Sequence, residues 1–268
     1  MTGIIYYQAK NDHTIPENLH RVAEKISHRG KHYLCIIDDK SCFAAAFLNK
    51  PQKNNLMIVD GTPEGMTRSF SILDGSIDVG TGLAEKQSTQ GLRPPIEVIR
   101  TLYIKHGIEA FSQICGNFSI LIKEKDELVI ARDLFGSKPL YYVNDDEKIV
   151  VASELKAFCG ISNCPNVLEP GTAFWTDLKA STIKRFHDAR RFARQTRLQG
   201  IDAANAQVEL RSLLDRAVRR SIPVNAKTAS LLSCVRIPSS SCEIIWMHGS
   251  AMPNFSEKKR SFLVCSHG

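Results

Sequence analysis

Nine short runs of β-branched and aromatic residues, each bounded by turn formers, crowd the first 153 positions of this chain. They are Ile4 to Tyr7, Tyr33 to Asp38, Phe43 to Leu48, Leu56 to Gly61, Phe70 to Asp74, Phe118 to Lys123, Leu128 to Arg132, Leu140 to Val143 and Ile149 to Ser153. Strands this short and this numerous predict two packed sheets. Two helices interrupt them. Thr14 and Glu17 have the spacing of a capping box ahead of Leu19, Val22, Ala23 and Ile26, which share a face, and Gly30 is suited to end that helix. Ile96, Ile99, Leu102 and Tyr103 mark a second helix over Ile96 to His106, stopped by Gly107. The expected class is α+β, a sandwich of two antiparallel sheets flanked by helices.

The texture changes after residue 183. Ala206, Leu210, Leu213, Leu214 and Ala217 recur at helical spacing behind Asp202, with Arg219 and Arg220 at the negative end of the dipole. Thr228 to Leu232 then reads as the first strand of an α/β unit. Between the two parts lies the polar stretch KRFHDARRFARQTRLQG. The predicted organisation is 1–183 as the sandwich, 184–201 as a basic linker, 202–233 as the start of a second domain, and 234–268 as an aberrant or disordered tail. That tail is too short for the crossover that an α/β unit needs and puts Pro238 and a serine run where a helix should start.

Composition settles several classes. A hydrophobic share of 43% and a charged share of 24% in 268 residues argue against disorder and coiled coil. The formal charge of +7 sits mostly between Lys184 and Arg220, where ten Lys/Arg face four Asp/Glu. Phe186 and Phe192 within that stretch would suit stacking on RNA, but no RNA-binding signature accompanies them, so a solvated linker is the reading and nucleic acid is set aside. No apolar run reaches membrane-spanning length and no secretory signal opens the chain, which predicts a cytoplasmic protein without a membrane partner. The eight cysteines do not form a disulfide framework, and Cys159-x4-Cys164 and Cys234-x7-Cys242-x5-His248 lack zinc spacing, so no metal is assigned.

Three ordered blocks carry a family resemblance: Cys115-Gly-Asn-Phe-Ser-Ile-Leu-Ile, Ile130-Ala-Arg-Asp-Leu-Phe-Gly-Ser-Lys-Pro-Leu-Tyr-Tyr142 and Ala152-Ser-Glu-Leu-Lys-Ala-Phe158. His28-Arg-Gly30, Asp74-Gly-Ser-Ile-Asp78, Ile96-Glu-Val-Ile99, Leu168-Glu-Pro-Gly171 and Leu231-Leu-Ser233 follow in the same order. Together they resemble the asparagine synthetase family. The resemblance implies an N-terminal class II glutamine amidotransferase domain of the N-terminal-nucleophile hydrolase fold, followed by an ATP pyrophosphatase domain that uses ATP and Mg. Glutamine is hydrolysed at the first site, and its ammonia forms an amide at the second.

Set against that chemistry, the residues depart from the pattern. The family's nucleophile is a Cys exposed by removal of Met, with its own α-amine as base; here the residue is Thr2, whose hydroxyl ionises far less readily than a thiol. The oxyanion-binding Asn-Gly appears as Asp74-Gly75, which replaces an amide donor by an anion. The Arg that clamps the glutamine carboxylate should fall within Phe43 to Asn49, where no Arg stands, and the Asp that receives the substrate amine aligns with Pro95. Arg132, Asp133, Gly136, Lys138 and Pro139 read as scaffold, with Arg132 and Asp133 pairing to hold a turn. Leu232 and Ser233 stand where the family's ATP loop begins, but Cys234 replaces its first glycine, so no cofactor is assigned to this chain.

Three functions stay open on the sequence. The first is a degenerate amidotransferase-like chain truncated before the ATP loop, its tail arising from a shifted frame. The second is a Thr2-dependent amidase acting on glutamine or another small amide. The third is a non-catalytic module that pairs with itself or docks on a separate synthetase subunit.

Overall fold

The computed structural model describes residues 2–11, 13–38, 40–49, 56–59, 69–78, 94–188, 203–221, 227–232 and 243–248. Two compact units divide the chain, Met1–Arg197 and Leu198–Gly268.

In the first unit, β1 (Gly3–Ala9), β2 (His32–Asp38), β3 (Cys42–Leu48), β8 (Tyr141–Asn144), β9 (Lys148–Ala152) and β10 (Asn166–Val167) form one sheet in the order β10-β8-β9-β1-β3-β2. The second sheet runs β12-β11-β7-β6-β5-β4, from β4 (Leu56–Val59), β5 (Ser69–Asp78), β6 (Cys115–Glu124), β7 (Glu127–Arg132), β11 (Thr172–Thr176) and β12 (Ser181–Arg185). Every pairing is antiparallel.

Alternation along the strands sorts the side chains into layers. Ile4 and Tyr6 of β1 meet Phe70 and Ile72 of β5, Leu121 of β6 and Ile130 of β7 between the sheets. Ile5 and Tyr7 turn outward to pack on α1 (Leu19–Glu24) and on the 3-10 turn Leu155–Phe158. Phe118, Ile120 and Ile122 turn the other way, onto α2 (Pro95–His106). A strand buried on both faces cannot alternate apolar with polar, which is why GIIYYQA reads as a continuous apolar run.

All nine expected strands are present. The structure adds β10, β11 and β12; β10 has two residues and Ser181–Arg185 has one large apolar residue, so neither stands out in the sequence. Strand β12 is exposed at every position and extends two residues beyond the expected end of the sandwich; Phe186 and His187 then donate backbone bonds to Gly171 O. The expected capping box does not form. Pro16-Glu-Asn18 makes a turn, helix α1 starts only at Leu19 behind Asn18, and no side chain caps it. Helix α2 opens at Pro95 and stops at Gly107 with φ 59°.

In the second unit, α3 (Ala203–Ser221) carries the expected helical repeat, and Leu210, Leu213 and Leu214 are exposed. Strand β13 (Lys227–Leu232) is present, but it pairs antiparallel with β14 (Glu243–His248), from Lys227 opposite His248 to Leu232 opposite Glu243. The pairing is thus antiparallel where the first strand of an α/β unit was expected. A lone strand leaves both edges unpaired, and the run Ile244-Ile-Trp246 has the residue types that complete a ladder. Ser233, Asp202 and most of the basic linker lie outside the described residues. No helix among those described is long and apolar enough to cross a membrane.

Candidate active site

Strand alternation carries three polar residues into the space between the sheets. Thr2 continues the inward face of Ile4 and Tyr6, Asp74 that of Phe70 and Ile72, and Arg132 that of Leu128 and Ile130. Thr2 and Asp74 meet directly. The Thr2 backbone nitrogen donates to Asp74 Oδ1 at 2.7 Å, with Thr2 4% and Asp74 0% exposed.

A third residue closes the cluster, and sequence reasoning missed it. Arg29, 6% exposed, donates through Nη2 to Asp74 Oδ2 at 2.5 Å, through Nε to Thr2 O at 3.0 Å, and through Nη1 to Glu154 Oε1 at 3.2 Å. It comes from the 3-10 turn Ser27–Arg29. Gly30 beside it is extended, and its role is close approach: a Cβ there would lie 2.4 Å from Leu48 N. The motif His28-Arg-Gly30 was visible in the sequence as one block of the family's order, without a role for Arg29.

Glu154 ties the cluster to the surface. It accepts from His28 Nε2 at 2.7 Å and pairs with Lys156 at 3.2 Å. Burial alone would raise its carboxyl, but the hydrogen bonds from Arg29 and Lys156 and the charge of His28 outweigh it and hold the group below the usual carboxylate range. Ser153 next to it fixes the start of β1 reciprocally: Ile4 N donates to Ser153 Oγ at 2.9 Å, and Ser153 N donates to Ile4 O at 3.0 Å. A cavity of about 330 Å³ opens against Arg29, Ser153 and Glu154, with Pro139, Tyr141, Leu155 and Lys156 completing its lining.

Gly75 follows Asp74 with φ 123°, and a Cβ would lie 1.9 Å from Asn117 O, so only glycine fits this close approach of β5 and β6. The scaffold residues form a separate hub. Asp133 accepts from Phe118 N at 3.1 Å, Ser137 N at 2.9 Å and Phe135 N at 2.9 Å. Arg132 donates to the carbonyls of Lys138 at 2.7 Å, Gly136 at 2.6 Å and Leu168 at 2.8 Å. The expected Arg132–Asp133 pair is thereby replaced by two independent backbone clamps, because neighbours on a strand point to opposite faces. Gly136, with φ 63°, makes the turn, and Pro139 leads into the cavity wall.

The structure also places the two remaining positions that the sequence singled out. Strand β3 presents only apolar, fully buried side chains over Cys42–Leu48. Pro95 is the first residue of α2 behind Pro94, where it pre-sets the helix and offers no group to bind an amine.

Residues 75–160 match the glutamine amidotransferase domain family. The chain is 41% identical over 71 residues to asparagine synthetase [glutamine-hydrolyzing] 2 of Bacillus subtilis, a stretch covering 26% of this chain and 10% of that protein. It is 30% identical over 137 residues to putative asparagine synthetase [glutamine-hydrolyzing] 1 of Methanocaldococcus jannaschii, covering 47% of this chain and 25% of that one. In fold it is similar to the glutamine phosphoribosylpyrophosphate amidotransferase of B. subtilis, with TM-score 0.55 and 18% identity over 69% of this chain and 49% of that chain. The chain thus spans a quarter or less of the curated relatives named here. It contains a glutamine amidotransferase domain of the asparagine synthetase type, with the N-terminal-nucleophile hydrolase fold.

Proposed function

We propose that this amidotransferase domain keeps the scaffold of its family and does not hydrolyse glutamine. The observation that carries the reading is the 2.7 Å contact of Thr2 N with the Asp74 carboxylate, whose other oxygen is taken by Arg29. In an N-terminal nucleophile the freed α-amine must accept the nucleophile's proton. An amine bound to a carboxylate is held as the ammonium and is a poor base. An alcohol with no strong base beside it attacks an amide slowly. The tetrahedral intermediate would also develop its negative charge close to Asp74, where the family places a neutral donor. Arg29 offsets this poorly, since its single positive charge is shared between the Asp74 and Glu154 carboxylates.

The test is glutamate release from glutamine by the purified full chain. No release above a Thr2→Ala control is expected. Release that disappears in Thr2→Ala would overturn the reading in favour of Thr2 as a working nucleophile, a role its buried place at the head of the central strand β1 permits. Mass spectrometry of the mature N-terminus separates the two further, because retained Met1 leaves Thr2 without a free amine.

A further inference from the structure

We propose that the inner faces of β5 and β6 hold one small neutral hydrogen-bonding molecule, water or ammonia, between the Ser119 hydroxyl and the Asp74 carboxylate. In register, Ser119 stands directly opposite Asp74 on β5 and opposite Arg132 on β7. Leu121, two residues on, packs between the sheets, so Ser119 points into the same space as Asp74. Both residues are 0% exposed. Ser119 Oγ has no protein hydrogen-bond partner among the described residues.

The neighbours explain why none reaches it. Arg132 spends its guanidinium on the carbonyls of Lys138, Gly136 and Leu168. Asp74 receives Thr2 N on one oxygen and Arg29 on the other, one donor each. A carboxylate has about four acceptor sites, so lone pairs remain. A buried hydroxyl without a partner is costly, and buried polar groups of this kind are usually satisfied by a small molecule with two or more bonds. Directly opposed side chains on antiparallel strands have Cβ atoms roughly 4.5–5.5 Å apart, so Ser119 and Asp74 are immediate neighbours across the pair. Arg29 and Arg132 on either side disfavour a cation, which leaves a neutral donor and acceptor. The inference does not depend on whether Thr2 acts on an amide.

A crystal structure of the full chain should place a density peak within hydrogen-bond distance of Ser119 Oγ and one Asp74 oxygen. Ser119→Ala, which removes one of the bridging molecule's two anchors, should lower Tm by roughly 2–4 °C, and its effect should be non-additive with Asp74→Asn. No peak at that position, a rise of Tm in Ser119→Ala, or simple additivity would overturn the proposal. Melting in ammonium chloride against sodium chloride at equal ionic strength and alkaline pH identifies the molecule. A rise confined to the unmutated chain assigns ammonia, and equal curves assign water.

Discussion

Arg29 and Asp74, 45 residues apart in sequence, form a buried ion pair with Nη2 2.5 Å from Oδ2. The pair sits beside Thr2 and uses both of its members for internal bonds, so a group that could have faced a substrate faces the protein instead. Its two halves are unequal: Arg29 has Thr2 O and Glu154 as further partners, whereas Asp74 depends on Arg29 for its counter-charge.

Arg29→Ala should therefore be costly, about 3–5 kcal/mol, because it strands a fully buried carboxylate. Asp74→Asn should cost clearly less, since Arg29 keeps its other two partners. Urea unfolding of the two variants checks the order; equal losses would contradict the asymmetry.

Combining Thr2→Cys with Asp74→Asn restores a thiol and an amide donor and frees the α-amine from its carboxylate. Glutamate release should become measurable in the double variant and stay near background in each single one. Activity in Thr2→Cys alone would mean that Asp74 does not impede the chemistry.

Asp133→Ala removes the acceptor of three backbone N–H groups, two of which lie in the turn after β7 and one at Phe118, the first buried residue of β6. The expected loss is about 2–4 kcal/mol. Hydrogen exchange should show Phe118, Phe135 and Ser137 losing protection together.

Gly30→Ala drives a Cβ against the backbone of Leu48 on β3 and should cost more than about 2 kcal/mol, read as a lower denaturant midpoint. Gly107→Ala is the control. Nothing stands within 4 Å of its Cβ, so its cost comes only from the backbone, φ 59° and ψ −145°, and should exceed about 1 kcal/mol without any steric contribution.

Glu154 gives a pH dependence of known sign. Its folded-state carboxyl is held below the ordinary value, so its contribution is fully present above the unfolded pKa of about 4.3 and is lost as pH falls through the lower folded value. Between about pH 5 and pH 3 the stability of the unmutated chain should fall more steeply than that of Glu154→Gln. Parallel curves would remove Glu154 from the network.

The sandwich was legible because its central strands are buried on both faces and leave unmistakable apolar runs, as β1 and β3 do. Strand β12 was not, because an edge strand such as Ser181–Arg185, exposed throughout, carries no burial pattern. Thr2, Asp74 and Gly75 could be named from their order along the chain. Arg29 could not be assigned a role, because its partners lie 27, 45 and 125 residues away and nothing local marks it as buried. The Arg132–Asp133 pair failed for the opposite reason: adjacency in sequence suggested a contact that the pleat of a strand forbids.

The reciprocal bonds between Ile4 and Ser153 also set an order of events during synthesis. Strand β1 closes its β9 edge only when the segment near residue 150 is available, whereas β3, its partner on the other edge, is made about 100 residues earlier. At translation rates of about 5–20 residues per second, the β9 edge stays open roughly 5–20 s longer than the β3 edge. The central strand of the finished sheet is thus an edge strand for part of its synthesis.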